Sequence, residues 1–163
     1  IDEQGEVYVR MVNGSFRRGV ESLGDIEAFE GAGMTYSEKI LPPEHSPNTA
    51  VTARIPDNQG HIYRLSGDYN PLHIDPEAAK FGGFDEPILH GLCTFGHCAQ
   101  MLLSALCGSD PARFKKIKVR FSSPVYMGDE LTVKAWEEAS GRVVFQATVE
   151  DRLVVSNAYF EFD

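Results

Sequence analysis

The chain has 163 residues, enough for one domain that buries about 70 % of the surface its unfolded form exposes. Hydrophobic residues make up 42 % and charged residues 24 %, proportions that exclude a disordered or low-complexity chain. A net charge of -9 opposes nucleic acid and anionic membrane surfaces, because a binder of phosphate backbones needs a broad positive field.

In chain order, Glu6 to Val12 alternate as a short strand would. The stretch from Asn13 to Pro56 is rich in Gly, Pro and Ser with little periodicity, so residues 1–47 are expected to form an extension or linker and 48–163 the main domain. Val51, Ala53 and Ile55 then alternate, and Gly60 opens an apolar stretch through Ile62, Tyr63 and Leu65. Ser66 to Pro87 is crowded with Pro, Gly, Asp and Asn, an irregular segment of the functional kind. Leu92 to Cys107 is predicted as a helix, apolar almost all the way round and therefore buried on most sides. Its polar residues Thr94, His97, Gln100 and Ser104 fall at steps of three and four and share one face.

Four strands follow. Ile117, Val119 and Phe121 alternate with Lys116, Lys118 and Arg120, and Leu131, Val133 and Ala135 alternate with Thr132, Lys134 and Trp136. Turns at Met127-Gly128-Asp129 and Ser140-Gly141 lead to strands over Val143–Glu150 and Leu153–Phe162. One helix followed by a short-looped meander predicts an α+β domain with an antiparallel sheet wrapped around the helix. Cys93, Cys98 and Cys107 form no CxxC pair, which points to a reducing intracellular compartment. No apolar run reaches the roughly 18 residues needed to span a bilayer, and Ile1-Asp2-Glu3-Gln4 lacks the features of a signal peptide. The chain starts without Met, so an address signal can lie outside it.

The densest chemistry lies in Tyr63-Arg64-Leu65-Ser66-Gly67-Asp68-Tyr69-Asn70-Pro71-Leu72-His73-Ile74-Asp75-Pro76. Asn70 before Pro71, and Asp75 before Pro76, each read as a cap followed by proline at the first helical position. Two short capped helices in succession fix the backbone and allow Asp68 and His73 to face one cleft, where a carboxylate and an imidazole share a water. An isolated Asp and His in such a place are more often a turn residue and a surface histidine.

This run resembles the signature of the R-specific, MaoC-like (type 2) enoyl-CoA hydratases, whose segment Asp-x-Asn-Pro-Leu-His is matched by Asp68, Asn70 and His73. The likeness continues through Pro87-Ile88-Leu89-His90-Gly91-Leu92 and Val119-Arg120-Phe121-Ser122-Ser123-Pro124-Val125, and covers the chain from about Thr49 to the end. It implies a hot dog fold, an intracellular enzyme of fatty acyl-CoA metabolism in peroxisome or cytoplasm, and hydration of 2-enoyl-CoA to (3R)-3-hydroxyacyl-CoA. Asp68 and His73 would then be the catalytic pair. Gly91, at the N-terminal end of the long helix, is suited to offer its backbone N–H to the enolate oxygen, with a tight loop as the plainer reading. Asn70 is either a third partner of the water or only the cap. His90 either lines the cleft or bonds backbone at the helix start.

Lys116, Lys118 and Arg120 project from one strand face, either as its solvated side or as contacts for CoA phosphates. Phe84 is read as an acyl-pocket residue, with plain core as the alternative, as for Phe81, Phe95 and Met101. No His or Cys pair has metal-ligand spacing, and no GxGxxG or Walker loop occurs, so neither metal nor cofactor is expected and CoA enters as part of the substrate. The rival readings are a hot dog thioesterase and a non-catalytic acyl-CoA binding module. The span from Gly5 to Arg18 resembles the end of the first repeat of the two-repeat eukaryotic form, so a homodimer, or pairing with a second hot dog domain, is expected.

Overall fold

A computed structural model describes residues 3–14 and 39–163. The chain separates into residues 1–36 and 37–163. In the first of these the strand expected over Glu6 to Val12 does not form. Val7, Tyr8, Val9, Met11 and Val12 are each more than half exposed. Alternation alone does not make a strand, since a strand also needs a ladder and a buried face. The remainder of the proposed repeat remnant, 15–18, lies outside the described residues.

Every strand expected in the second unit is present. β1 (Thr49–Arg54), β2 (Phe114–Phe121), β3 (Glu130–Ala139), β4 (Arg142–Val149) and β5 (Arg152–Phe162) form one antiparallel sheet in the order β1-β3-β4-β5-β2. Side chains on successive strand positions point to opposite faces, so Leu131, Val133 and Ala135 of β3 share one side with Val143, Phe145 and Ala147 of β4. Against that side packs α3 (Gly91–Cys107) through Cys93, Cys98, Met101, Leu102 and Cys107. The helix stops where Gly108 takes a left-handed conformation, φ 62, which a glycine adopts without penalty.

The sheet covers α3 on one side only, so the expectation of a helix buried nearly all round is corrected. Leu92, Gly96, Gln100 and Ser104 are exposed, and of the polar set only Thr94 is fully buried.

The other face of the sheet is not bare. Trp136, Val144 and Tyr159 stand side by side across β3, β4 and β5, and all three are buried. The segment 39–48 is bonded to the same sheet: the Trp136 indole N–H donates to the His45 carbonyl at 2.8 Å, Asn48 N–H to Ala135 at 2.9 Å, and Ile40 N–H to the side chain of Asn157. On the helix side, Phe145 is wholly buried in the middle of the core. Its truncation to Ala should cost roughly 3–5 kcal/mol of unfolding free energy, measured by urea denaturation; a loss under about 1 kcal/mol would contradict this packing.

Candidate active site

Three short elements separate β1 from α3: α1 (Gln59–Arg64), a 3-10 turn over Pro71–His73, and α2 (Pro76–Phe81). Both caps read from the sequence are made. The Asn70 side-chain oxygen accepts from Leu72 N–H at 3.1 Å, and Asp75 Oδ1 accepts from Glu77 N–H at 2.8 Å. Asp68 Oδ1 in turn accepts from Asn70 N–H at 3.2 Å, which draws the chain round so that Asp68 and His73 face each other. The cap engages the oxygen of Asn70 and leaves its amide group to act as a donor, so its two readings do not exclude one another.

His73 is 8 % exposed and held from two sides. Its Nδ1 lies 2.8 Å from the Ile88 carbonyl. A carbonyl only accepts, so Nδ1 carries the hydrogen and Nε2 keeps a lone pair. Ile88 is itself fixed, since Leu89 N–H donates to Val125 at 2.7 Å and Ile88 bridges to Tyr126. The loop carrying Tyr126 is clamped by Asp129, whose Oδ2 accepts from Tyr126 N–H at 2.9 Å and from Arg152 at 3.1 Å. On the backbone side, a Cβ on Gly60 would stand 2.9 Å from the His73 carbonyl and 3.2 Å from Met127 Sδ. Gly60 therefore lets α1 lie directly against the His73 main chain.

His90, the residue before α3, completes the cluster. Its ring stacks on that of His73, centroids 3.8 Å apart at 27°, and meets Tyr63 at 4.7 Å. Its Nε2 lies 3.3 Å from the Asp68 carbonyl, so this nitrogen is the donor. Asp68, His73 and His90 each bring a carboxylate oxygen or ring nitrogen to within 4.8 Å of the others. Paired ligand spacing in the sequence does not anticipate such a grouping, and its donors suit a borderline divalent ion. Stacked imidazoles, however, direct their in-plane lone pairs side by side rather than toward a common point. The same separations suit one water bridging carboxylate and imidazole.

Burial lowers the pKa of His90, and the neighbouring His73 lowers it further. Burial likewise raises Tyr63, with Cys93 and Asp68 adding to the effect. Burial disfavours the thiolate of each cysteine, raising Cys93 and Cys107 and pushing Cys98 up to about 12. At the start of α3 the backbone ladder begins with Cys93 and Thr94, which donate to His90, so the N–H groups of Gly91 and Leu92 precede it at the positive end of the helix. A Cβ on Gly91 would touch the Phe121 ring at 3.3 Å, which gives this position a packing reason to be glycine.

Not every candidate is gathered here. Ile117 and Val119 face the core, so Lys116 and Lys118 stand on the opposite face of β2, where Lys116 lies over the Tyr159 ring at 5.2 Å. Arg120, beyond a register shift, is exposed and pairs with Ser156. Phe84 is half-buried in the turn after α2, its N–H bonded to Ala79. The sequence reading missed Gly60, Tyr63 and the Ile88 carbonyl as parts of the site; Tyr63 and Ile88 left a trace, as members of the two runs that carry the family likeness, and Gly60 left none.

Residues 39–158 match the family model described as "MaoC like domain". The chain belongs to this family. It is 47 % identical over 135 residues to the peroxisomal multifunctional enzyme type 2 of Mus musculus, covering 79 % of this chain and 18 % of that one. To the peroxisomal enoyl-CoA hydratase 2 of Arabidopsis thaliana it is 44 % identical over 110 residues, 68 % of this chain and 35 % of that one. The solved full-length multifunctional enzyme type 2 of Drosophila melanogaster superposes with a TM-score of 0.75 at 40 % identity, over 81 % of this chain and 25 % of that one. The chain thus spans well under half the length of these relatives. As a MaoC-like domain it has the hot dog fold expected from the sequence, one sheet laid over one long helix.

Two outcomes follow from the packing. Gly60→Ala should lower stability by roughly 1–3 kcal/mol, because its new methyl group meets a backbone carbonyl that has no rotamer to yield; thermal melting checks it. His90, whose folded pKa lies below 6.5, takes a proton more readily when unfolded. Stability from this residue is complete above 6.5 and is lost as the pH falls toward the folded value. The stability advantage of the wild type over His90→Gln should therefore shrink as the pH falls from about 7 to about 5, and a constant gap would contradict a depressed pKa.

Proposed function

We propose that this chain hydrates trans-2-enoyl-CoA to (3R)-3-hydroxyacyl-CoA, reversibly, with a water held between Asp68 and His73. The observation that carries this reading is the pairing of the Asp68 carboxylate with a His73 whose Nδ1 is committed to Ile88, the two groups lying within 4.8 Å beside the N-terminus of α3. Such a pair can take a proton from water as its oxygen bonds to C3 of the enoyl group, and can return a proton to C2 on the same face. As C2 receives electrons the thioester oxygen gains charge, and the Gly91 N–H at the helix end is the donor for it. Asn70 assists through its amide hydrogens. Phe84 is assigned to the wall of the acyl site, whereas His90, 1 % exposed and bonded to the Asp68 carbonyl, takes the backbone-bonding reading. Lys116, Lys118 and Arg120, on the face of edge strand β2 away from α3, are assigned to CoA phosphates that reach round that edge. CoA arrives as part of the substrate, and no separate cofactor or metal is required.

Names of the relatives support the same reading: one is called an enoyl-CoA hydratase, and both curated relatives are called peroxisomal. We assign this chain to the peroxisome on that ground. No described helix is long and apolar enough to cross a membrane. The exposed Leu92 and Phe121, beside the start of α3 and at edge strand β2, leave apolar surface that a second hot dog, from another copy or another repeat, would cover.

Crotonyl-CoA should lose its enoyl absorbance on mixing with the protein while no free thiol appears; thiol release would favour a thioesterase instead, and neither signal a binding module. Asp68→Asn and His73→Ala should each reduce turnover by roughly 100-fold to 10,000-fold with the fold retained, and near-normal turnover in either would sink the pair. Neutralising Lys116, Lys118 or Arg120 singly should raise KM more than it lowers kcat, since remote phosphate contacts bind ground and transition states alike. An unchanged KM at low and high salt would make the row a solvated face only.

A further inference from the structure

We propose that His90 is a positioning residue that ties the catalytic pair together, holding the Asp68 main chain through Nε2–H while its ring fixes the plane of His73. The inference rests on the hydratase reading and adds a role within it. His90 is 1 % exposed, and among the described residues its Nδ1 has no hydrogen-bond partner. A phenyl or isobutyl group would fill the same space but could not donate to the Asp68 carbonyl. What a histidine adds here is therefore the Nε2–H donor together with a ring that stacks on His73.

Each contact supplies something the pair lacks. Asp68 is exposed, and its peptide lies between α1 and the 3-10 turn, outside any helix or strand. The bond from His90 at 3.3 Å reaches that peptide from inside the core. On the other side, the Ile88 carbonyl fixes one atom of His73 but leaves the tilt of its ring about that bond unset; the stacked ring at 3.8 Å sets it. His90 also leads directly into Gly91, so the groups proposed to hold the water and the thioester oxygen share one anchor. The depressed pKa of His90 agrees with a ring that stays neutral beside His73 while His73 takes up a proton.

The variants divide the two functions. His90→Phe keeps a stacked ring and removes the donor; His90→Gln keeps a donor near Nε2 and removes the ring. With crotonyl-CoA, each should lower kcat about 10-fold to 100-fold, the usual consequence of a slight misplacement, and move KM by less than about threefold. His73 should keep the Nδ1–H tautomer that Ile88 sets, while NMR Overhauser contacts from its ring protons should report one ring orientation in the wild type and more than one in His90→Gln. In an Asp68→Asn background, His90→Phe should cost far less than it does alone, because its effect passes through Asp68. Wild-type kcat in folded His90→Phe, or a fully additive double variant, would overturn the proposal. Should His90→Phe fail to fold, wild-type kcat and His73 ring orientation in His90→Gln would overturn the stacking role and with it the proposal. An inactive wild type would refute the hydratase reading alone, with the ring-orientation measurement still deciding the ring's role.

Discussion

The site depends on one hydrogen bond, from His73 Nδ1–H to the carbonyl of Ile88 at 2.8 Å. It decides which nitrogen keeps a lone pair, and so whether the imidazole can accept a proton at all from the side that Asp68 faces. Its acceptor belongs to a chain segment that is neither helix nor strand, and the rest of the fold supplies that segment's support. Val125 takes the next N–H, Tyr126 bridges to Ile88, and the Asp129–Arg152 pair holds the loop on which both sit. Arg152 opens β5 and Asp129 stands just before β3, so the rigidity of the sheet reaches the imidazole through two main-chain contacts.

The value of that arrangement lies in dryness as much as in distance. His73 and His90 are nearly excluded from water, whereas Asp68 remains exposed at the mouth. Burial makes a charge on the His90 ring costly and lowers its pKa, whereas the Asp68 carboxylate stands in contact with solvent. Tyr63 and Cys93, both shifted by burial toward their neutral forms, add no competing charge to the inner wall.

Much of this was legible before any coordinates. The caps at Asn70 and Asp75, the strands of the meander and the helix from Gly91 all follow local rules of periodicity and capping, and those rules act over a few residues. Contacts between distant segments followed no such rule. Gly60 against His73, Ile88 beneath it and His90 stacked upon it are separated along the chain and meet only because the fold closes. Glu6 to Val12 failed in the opposite way, since its period was right and no strand forms there. The basic row of β2 shows a third case: the pattern gave the shared face correctly but could not say that this face lies away from α3.

The cluster of Asp68, His73 and His90 lies beside the start of α3, on the helix side of the sheet, yet the only tryptophan of the chain, Trp136, stands on the other side, its indole N–H bonded to the carbonyl of His45. Intrinsic fluorescence excited at the indole therefore reads how the segment 39–48 lies on the sheet, and is nearly blind to what enters the cleft at Asp68. A titration followed by that emission would register the outer covering of the domain, and a silent trace would carry no information about occupancy of the inner one.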